Sequence, residues 1–318
     1  MELVGIGNAL MDVIAFVDED LAPSLGFHNN SVVHLDRREL GRVLDLLGET
    51  VVSAGGGAAN AMRTAALLGL RTAFVGCVGE DDLGIRYRDD MALSGVDCRL
   101  CRSTRPTGVY CALIRPDGGR TLLVAPGAAL DLSRAEIPAS IFRPGAFLYL
   151  EGFLAHRREL LEDCAVRAEA AGMTVALDLG SQTLVRAKRD FLLDFISRSV
   201  DLLFANEDEF AALVDLPLRE GLGLLDDELE IVIKRAERGA LWASGGAVVE
   251  SPVRELWPVD ETGAGDAFAA GFLAGRTQGL PPERCLRLGN RIAEEVLAVP
   301  ALGVDPKRLG RAASLVTE

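Results

Sequence analysis

Residues 260–272 read Asp-Glu-Thr-Gly-Ala-Gly-Asp-Ala-Phe-Ala-Ala-Gly-Phe, a turn of small residues running straight into an apolar helix. Gly263, Ala264 and Gly265 place no bulky side chain in front of three successive backbone N–H groups. The run from Ala267 to Ala270 starts a buried helix, so those donors and the positive end of the helix dipole face whatever occupies the turn. Phosphate, or charge developing on a phosphoryl group, suits such a turn. Asp266, a carboxylate in the first helical turn, is placed to take the proton of an attacking hydroxyl. A plain N-terminal cap would use the same residue types, so the rest of the chain has to decide.

A chain of 318 residues suits one large α/β domain with an appendage, or two small domains. Apolar residues, at 49%, are ample for a core, and a net charge of −14 with 25% charged residues describes an acidic soluble protein. That balance argues against nucleic-acid and anionic-membrane partners. It also repels a nucleotide at long range, so local dipoles and a metal ion must overcome it. The N-terminal stretch MELVGIGNALMDV has no basic region ahead of its apolar residues, and no uncharged apolar run long enough to span a bilayer occurs. Neither a signal peptide nor a membrane span is expected, and the cytoplasm is the expected location. Six cysteines with a single Cys98-x-x-Cys101 spacing and three histidines form no zinc pattern, and all six read as reduced thiols.

Leu3–Gly7 is a short apolar strand, and Gly7-Asn8-Ala9-Leu10-Met11-Asp12 lies at its exit, where open α/β sheets bind ligands. Ser53-Ala54-Gly55-Gly56-Gly57-Ala58-Ala59-Asn60 opens a helix with three glycines, which permit close backbone approach. Gly108–Ile114 and Thr121–Val124 alternate around Pro116-Asp117-Gly118-Gly119, a hairpin signal. These strands are out of step with the βα rhythm that follows and belong to a separate small sheet. From residue 145, apolar strands at 147–150, 174–177 and 202–205 alternate with helices at 157–171 and 185–199, which implies a parallel sheet covered on both faces. Asn206 and Glu209 open the next helix, as a cap with an acidic first turn would.

Together these motifs resemble the ribokinase-like (PfkB) carbohydrate kinases over nearly the whole chain. The stretch at 260–272 differs from that family's signature D-T-x-G-A-G-D-A-F only at Glu261, where Thr is usual, and Gly57 stands where many members have Ser. The resemblance implies one α/β kinase domain over 1–318: three layers, a mostly parallel central sheet covered by helices on both faces, and a small β-sheet lid drawn from about 13–35 and 108–124. It implies ATP-dependent phosphotransfer to a hydroxymethyl group of a sugar or nucleoside. Asp266 would be the base, with Gly263, Ala264 and Gly265 holding the γ-phosphate. Asn8, Asp12, Gly55, Gly56 and Asn60 would bind the acceptor. Asn206 and Glu209 would organise magnesium and phosphate through water, and Asn290 lies where the family wraps adenine. Members often hold a monovalent cation such as K+ beside the residues matching Asp260 and Thr262, a question that Glu261 leaves open. At 234–239 the chain departs from the family's T-x-G-x-x-G: Gly239 is kept, but Lys234 and Ala236 replace the Thr and the first Gly. Lys234 either contacts phosphate in their place or points away.

Gly-Asn-Ala-Leu-Met-Asp near the start and Leu-Glu-Gly-Phe at 150–153 look like the adenosine-kinase branch. A nucleoside base needs apolar surfaces, and with 5% aromatic residues the candidates are Phe16, Phe27, Tyr110 and Phe153. Tyr110 suits a substrate contact and a lid-to-lid homodimer contact equally. The alternative reading is a non-catalytic sugar or nucleoside sensor on the same fold, supported by Lys234 and Ala236 and opposed by the intact Asp266 turn. A dinucleotide-dependent oxidoreductase would need G-x-G-x-x-G after the first strand, but Gly5-Ile6-Gly7 is followed by Leu10.

Overall fold

The computed structural model describes residues 1–254, 261–299 and 305–317. Strands in chain order are β1 (Leu3–Ile6), β2 (Leu10–Phe16), β3 (Val32–His34), β4 (Thr50–Gly55), β5 (Thr72–Gly79), β6 (Asp97–Ser103) and β7 (Gly108–Ile114). They continue as β8 (Arg120–Ala125), β9 (Phe147–Glu151), β10 (Thr174–Asp178), β11 (Leu202–Asn206), β12 (Glu230–Lys234), β13 (Ala240–Ser244) and β14 (Ala247–Ser251).

Nine strands form the main sheet in the order β14-β13-β12-β11-β10-β9-β1-β5-β6, parallel throughout except for the antiparallel β12–β13 and β13–β14 pairs. Alternate side chains of the parallel strands enter two different cores. Phe204, Tyr149 and Ala176 meet helices Gly57–Leu67, Ala264–Thr277 and Pro282–Leu297 on one side. Leu203, Leu148 and Val175 meet Arg158–Ala170, Gln182–Ser199 and Glu207–Val214 on the other. Burial on both faces explains why these strands read as unbroken apolar runs. The helix Ala264–Thr277 is itself buried continuously from Ala267 to Gly275. It can lie that close to its neighbour because Gly271 faces Gly289: a Cβ on Gly271 would fall 2.9 Å from the Gly289 Cα.

The second sheet has the order β3-β8-β7-β2-β4. Met11, Val13, Val109, Cys111 and Leu123 line its inner face with Leu40 and Val43 of helix Arg37–Leu44, which an Asp36/Glu39 capping box starts. Its other face carries a small cluster of Ile14, Ala112 and Ile114, with Tyr110 and Leu122 packed against it. Strands β4, β6, β13 and β14 carry no strong sequence signal and are found only in the structure.

One expectation is corrected. Cys77 and Cys101 are register partners on parallel strands β5 and β6, their Cα atoms 4.6 Å apart, and they are joined as a disulfide. Paired positions on adjacent strands share a face, which spacing along the chain does not reveal. Cys98, Cys111, Cys164 and Cys285 are free thiols, with burial pushing the Cys98 and Cys111 thiols up to about 12.

Candidate active site

The carboxyl ends of β1, β9, β10, β11 and β12 bring Asn8, Glu151, Asp178, Asn206 and Lys234 to one edge of the main sheet. The start of helix Ala264–Thr277 joins them. Gly263 is its N-cap, at φ +74°, a left-handed conformation that glycine adopts without strain. The Ala264 N–H closes the turn on the Glu261 carbonyl at 3.1 Å, and the first intrahelical bond runs from Ala267 N–H to Gly263 O at 2.8 Å. Of the three donors expected in the turn, that of Ala264 is therefore engaged. The N–H groups at this helix start without an intrahelical acceptor include those of Gly265 and Asp266.

Asp266 accepts a hydrogen bond from Asn60 Nδ2 at 3.2 Å. Its pKa is pushed up to about 8, chiefly by burial and then by the Asp178 charge, against the opposing pull of Lys234 and the Asn60 amide. Asn60 is buried, and its Oδ1 has no partner. Gly57 sits between two carboxylates: a Cβ there would lie 3.4 Å from Asp266 Oδ1 and 3.8 Å from Glu151 Oε2. The glycine that differs from the usual Ser thus leaves the gap between them clear.

Asp12 is buried on β2, packed flat against Gly55, where an added Cβ would fall 2.0 Å from its Oδ2. Gly56, at φ +97°, brings its Cα against the Asn8 carbonyl. The Asn8 side chain is committed elsewhere: Nδ2 donates to Glu151 Oε1 at 2.5 Å, and Oδ1 accepts from Arg157 Nη2 at 2.6 Å. Asn8 therefore holds the strand exit in shape, with both ends of its side-chain amide engaged within the protein. Glu151 also accepts from the N–H groups of Asn8 and Ala58, yet burial still raises its pKa to about 7.

On the other side Asn206 and Glu209 form a complete capping box, with Glu209 buried. Burial raises the Glu209 pKa, while the nearby Lys234 charge opposes that shift. Lys234 Nζ bonds Asp178 Oδ2 at 2.7 Å, and Tyr149 Oη donates to the same oxygen at 2.9 Å. Lys234 thus points inward, toward the turn. Gly239, at φ +81°, lies against Ser251 O, and Asn290 donates to Ser251 O at 2.9 Å and to Pro252 O at 3.3 Å, so both shape the exit of β14. Thr262 is half-buried beside the turn, and Asp260 lies outside the described residues.

Arg157, Tyr149 and Asp178 carry no motif, and Glu151 appears in the sequence reading only inside Leu-Glu-Gly-Phe, with no role of its own. The signal that points to two of them is simple: the apolar runs Phe147–Glu151 and Thr174–Asp178 each end in a carboxylate, at the strand end where such sheets bind ligands.

A glycine-opened helix start beside a desolvated carboxylate, at the carboxyl edge of a parallel sheet and next to a small second sheet, defines a phosphotransferase of ribokinase-like fold. The pfkB family carbohydrate kinase model matches residues 2–306, and the chain belongs to that family. The ATP-dependent ribose-1-phosphate kinase of Halopiger xanaduensis is 31% identical over 240 residues, 75% of this chain and 78% of that protein. The adenosine kinase of Schizophyllum commune is 26% identical over 328 residues, covering 92% and 94%. The crystal structure of adenosine kinase from Sinorhizobium meliloti superposes with a TM-score of 0.91 at 28% identity, covering 99% of this chain and 98% of that one. This protein is accordingly an ATP-dependent kinase of a sugar or nucleoside. No helix among the described residues is long and apolar enough to cross a membrane.

Proposed function

We propose that the protein moves the γ-phosphoryl group of ATP to the primary hydroxyl of a nucleoside in the cytoplasm, with Asp266 as base. The observation that carries this reading is the Asn60–Asp266 bond, which joins the glycine-rich acceptor segment to the first turn of the helix at the phosphate site. The acceptor lies between the two sheets, its hydroxyls against Asp12, the Gly55–Gly56 backbone and the unmatched Oδ1 of Asn60. Its oxygen attacks the γ-phosphorus as the bond from phosphorus to the bridging oxygen breaks. ADP leaves with that electron pair, and the hydroxyl proton passes to Asp266. The backbone donors of Gly265 and Asp266 stabilise the charge that develops, and the small sheet, acting as a lid, excludes water.

The nucleotide side is formed by Asn206, Glu209 and Gly239, with Asn290 supporting the segment that follows β14. The capping box engages one carboxylate oxygen of Glu209. Such an oxygen donor suits a magnesium ion brought with ATP and reached through water; the ion neutralises phosphate charge when bound. A potassium ion beside Thr262 and Asp260 is part of the same proposal. Two aromatic positions favour a nucleoside over a free sugar: Tyr110 is the register partner of Asp12, and Phe153, 43% exposed, stands at the exit of β9 against Gly180. Exposed Phe16 and Val32 on the small sheet suit a homodimer contact, tested by light scattering.

The decisive experiment measures ADP release from Mg-ATP against nucleosides and free sugars, with and without potassium, using Asp266→Asn as blank. Turnover with a nucleoside well above ribose or fructose is expected. Faster turnover of a free sugar would overturn the acceptor assignment, and ATP binding without turnover on any acceptor would favour the sensor.

A further inference from the structure

Resting on the kinase reading above, we propose that Lys234 is a catalytic residue: clamped by Asp178 over the bare face of Gly265, its ammonium is the fixed positive charge that bonds the phosphoryl group in transfer. The side chain is 18% exposed, and its Nζ lies 3.3 Å from where a Cβ on Gly265 would stand. Any larger residue at 265 would crowd the contact, and the glycine keeps ammonium and helix start together. An ammonium has three donors, and one goes to Asp178. Among the described residues the other two make no hydrogen bond, and the ammonium stands beside Gly265 at the positive end of the helix, where the Gly265 and Asp266 N–H groups lack intrahelical acceptors.

The Lys234–Asp178 pair does not have the pattern of a finished structural ion pair. Asp178 is buried, its Oδ2 receives both Lys234 and Tyr149, and its Oδ1 has no donor. A buried pair that serves stability alone needs its remaining lone pairs and protons satisfied. Here unmatched donors and an unmatched acceptor lie side by side, as they would in a site completed by a phosphate and its hydrated counter-ion. Burial alone would pull the Lys234 ammonium down, but Asp178, Glu209 and Asp266 outweigh it and hold the pKa above the ordinary lysine value, so the charge is permanent. Asp178 is then a positioning residue, acting through Lys234. In the transfer step the ammonium gives up no proton; it donates hydrogen bonds to non-bridging oxygens while the acceptor proton goes to Asp266 and the electron pair leaves with ADP.

The test is steady-state kinetics of Lys234→Met and Lys234→Ala across pH 6–9, with Asp266→Asn in parallel. Loss of one such donor lowers kcat by about 10²–10³-fold, with the ATP KM changing by less than about fivefold. Added ethylammonium restores part of the activity of Lys234→Ala. The acidic limb of kcat/KM moves to higher pH in Lys234→Met. Asp266 then faces Asp178, Glu151, Glu209 and Tyr149 without an offsetting cation. A kcat within about threefold of the parent in Lys234→Met, or no amine rescue together with an unmoved limb, overturns the proposal. If Lys234→Met does not fold, Lys234→Arg carries the test: a parental kcat there, with donors displaced from the turn, overturns it equally. Substantial turnover in Asp266→Asn would instead sink the underlying assignment of the base, so the two failures are distinguishable.

Discussion

Replacing Asp266 by Asn removes a charge that the fold disfavours, and its effect on stability should depend on pH in a defined sense. The carboxyl pKa rises from 3.8 to about 8, about four units, and each unit corresponds to about 1.36 kcal/mol. The full shift is therefore on the order of 5–6 kcal/mol; water in the open cleft and local relaxation reduce it by roughly half, to about 2–3 kcal/mol. Because the folded-state pKa is raised, the folded protein holds this proton more tightly than the unfolded chain. The associated stability is complete below about pH 4 and is lost as pH climbs through about 8. The amide introduced by Asp266→Asn keeps an oxygen for the Asn60 side chain and has no charge to lose. The variant should melt about 3–6 °C above the parent at pH 9, with roughly a third of that gap at pH 5. Differential scanning fluorimetry of both proteins between pH 5 and 9 makes the measurement. Parallel melting curves, with a constant gap, would show that Asp266 ionises like an ordinary surface carboxylate and would refute the reasoning.

The same burial has a kinetic face: kcat/KM of the parent should rise about tenfold per pH unit below pH 8, and a limb centred near pH 4 would exclude Asp266 as the titrating base. Gly55→Ala drives a methyl group into the Asp12 carboxylate, so the acceptor KM should rise by at least tenfold while the ATP KM holds; equal effects on both would remove Asp12 from the acceptor side. Arg120 of β8 reaches Glu261 at 3.4 Å and ties the small sheet to the phosphate turn; a double-mutant cycle of Arg120→Ala and Glu261→Ala should show coupling of about 0.5 kcal/mol or more in kcat/KM, and additive effects would deny the tie. Arg157→Met leaves Glu151 and Asn8 without their cation and should lower stability by about 3 kcal/mol in urea unfolding, a loss that Glu151→Gln in the same chain partly restores.

What the sequence reveals and conceals follows from which interactions are local. The turn at 263–266 and the capping box of Asn206 and Glu209 are encoded within four residues each, so both are readable from the chain. The wide apolar strands at 147–150 and 202–205 announce a doubly covered sheet for the same reason. Strand β4, by contrast, owes its place to partners: Asp90 receives the Ala54 N–H, Tyr87 bonds the Gly55 carbonyl, and β2 pairs along its length. Asp178 and Glu151 are single acids at strand ends, and nothing near them in the chain says that Lys234 or Asn8 will meet them. The commitment of the Asn8 amide to Glu151 and Arg157 is likewise invisible, because the partners lie 143 and 149 residues away.

The bond between Asn60 and Asp266 spans 206 residues of chain, and every group proposed to hold the acceptor's hydroxyls lies at residue 60 or earlier, whereas the proposed base lies at 266. During synthesis the glycine-rich segment, the small sheet and most of the main sheet leave the ribosome long before the helix that carries Asp266. Helix Gly57–Leu67, which carries Asn60, packs against helix Ala264–Thr277, so the two halves of the cleft are joined only once the late helix is present. A chain stopped short of that helix would lack the proposed base and the proposed phosphate turn, along with the apolar wedge that fills its interior, and on the proposed mechanism such an unfinished molecule would not consume ATP.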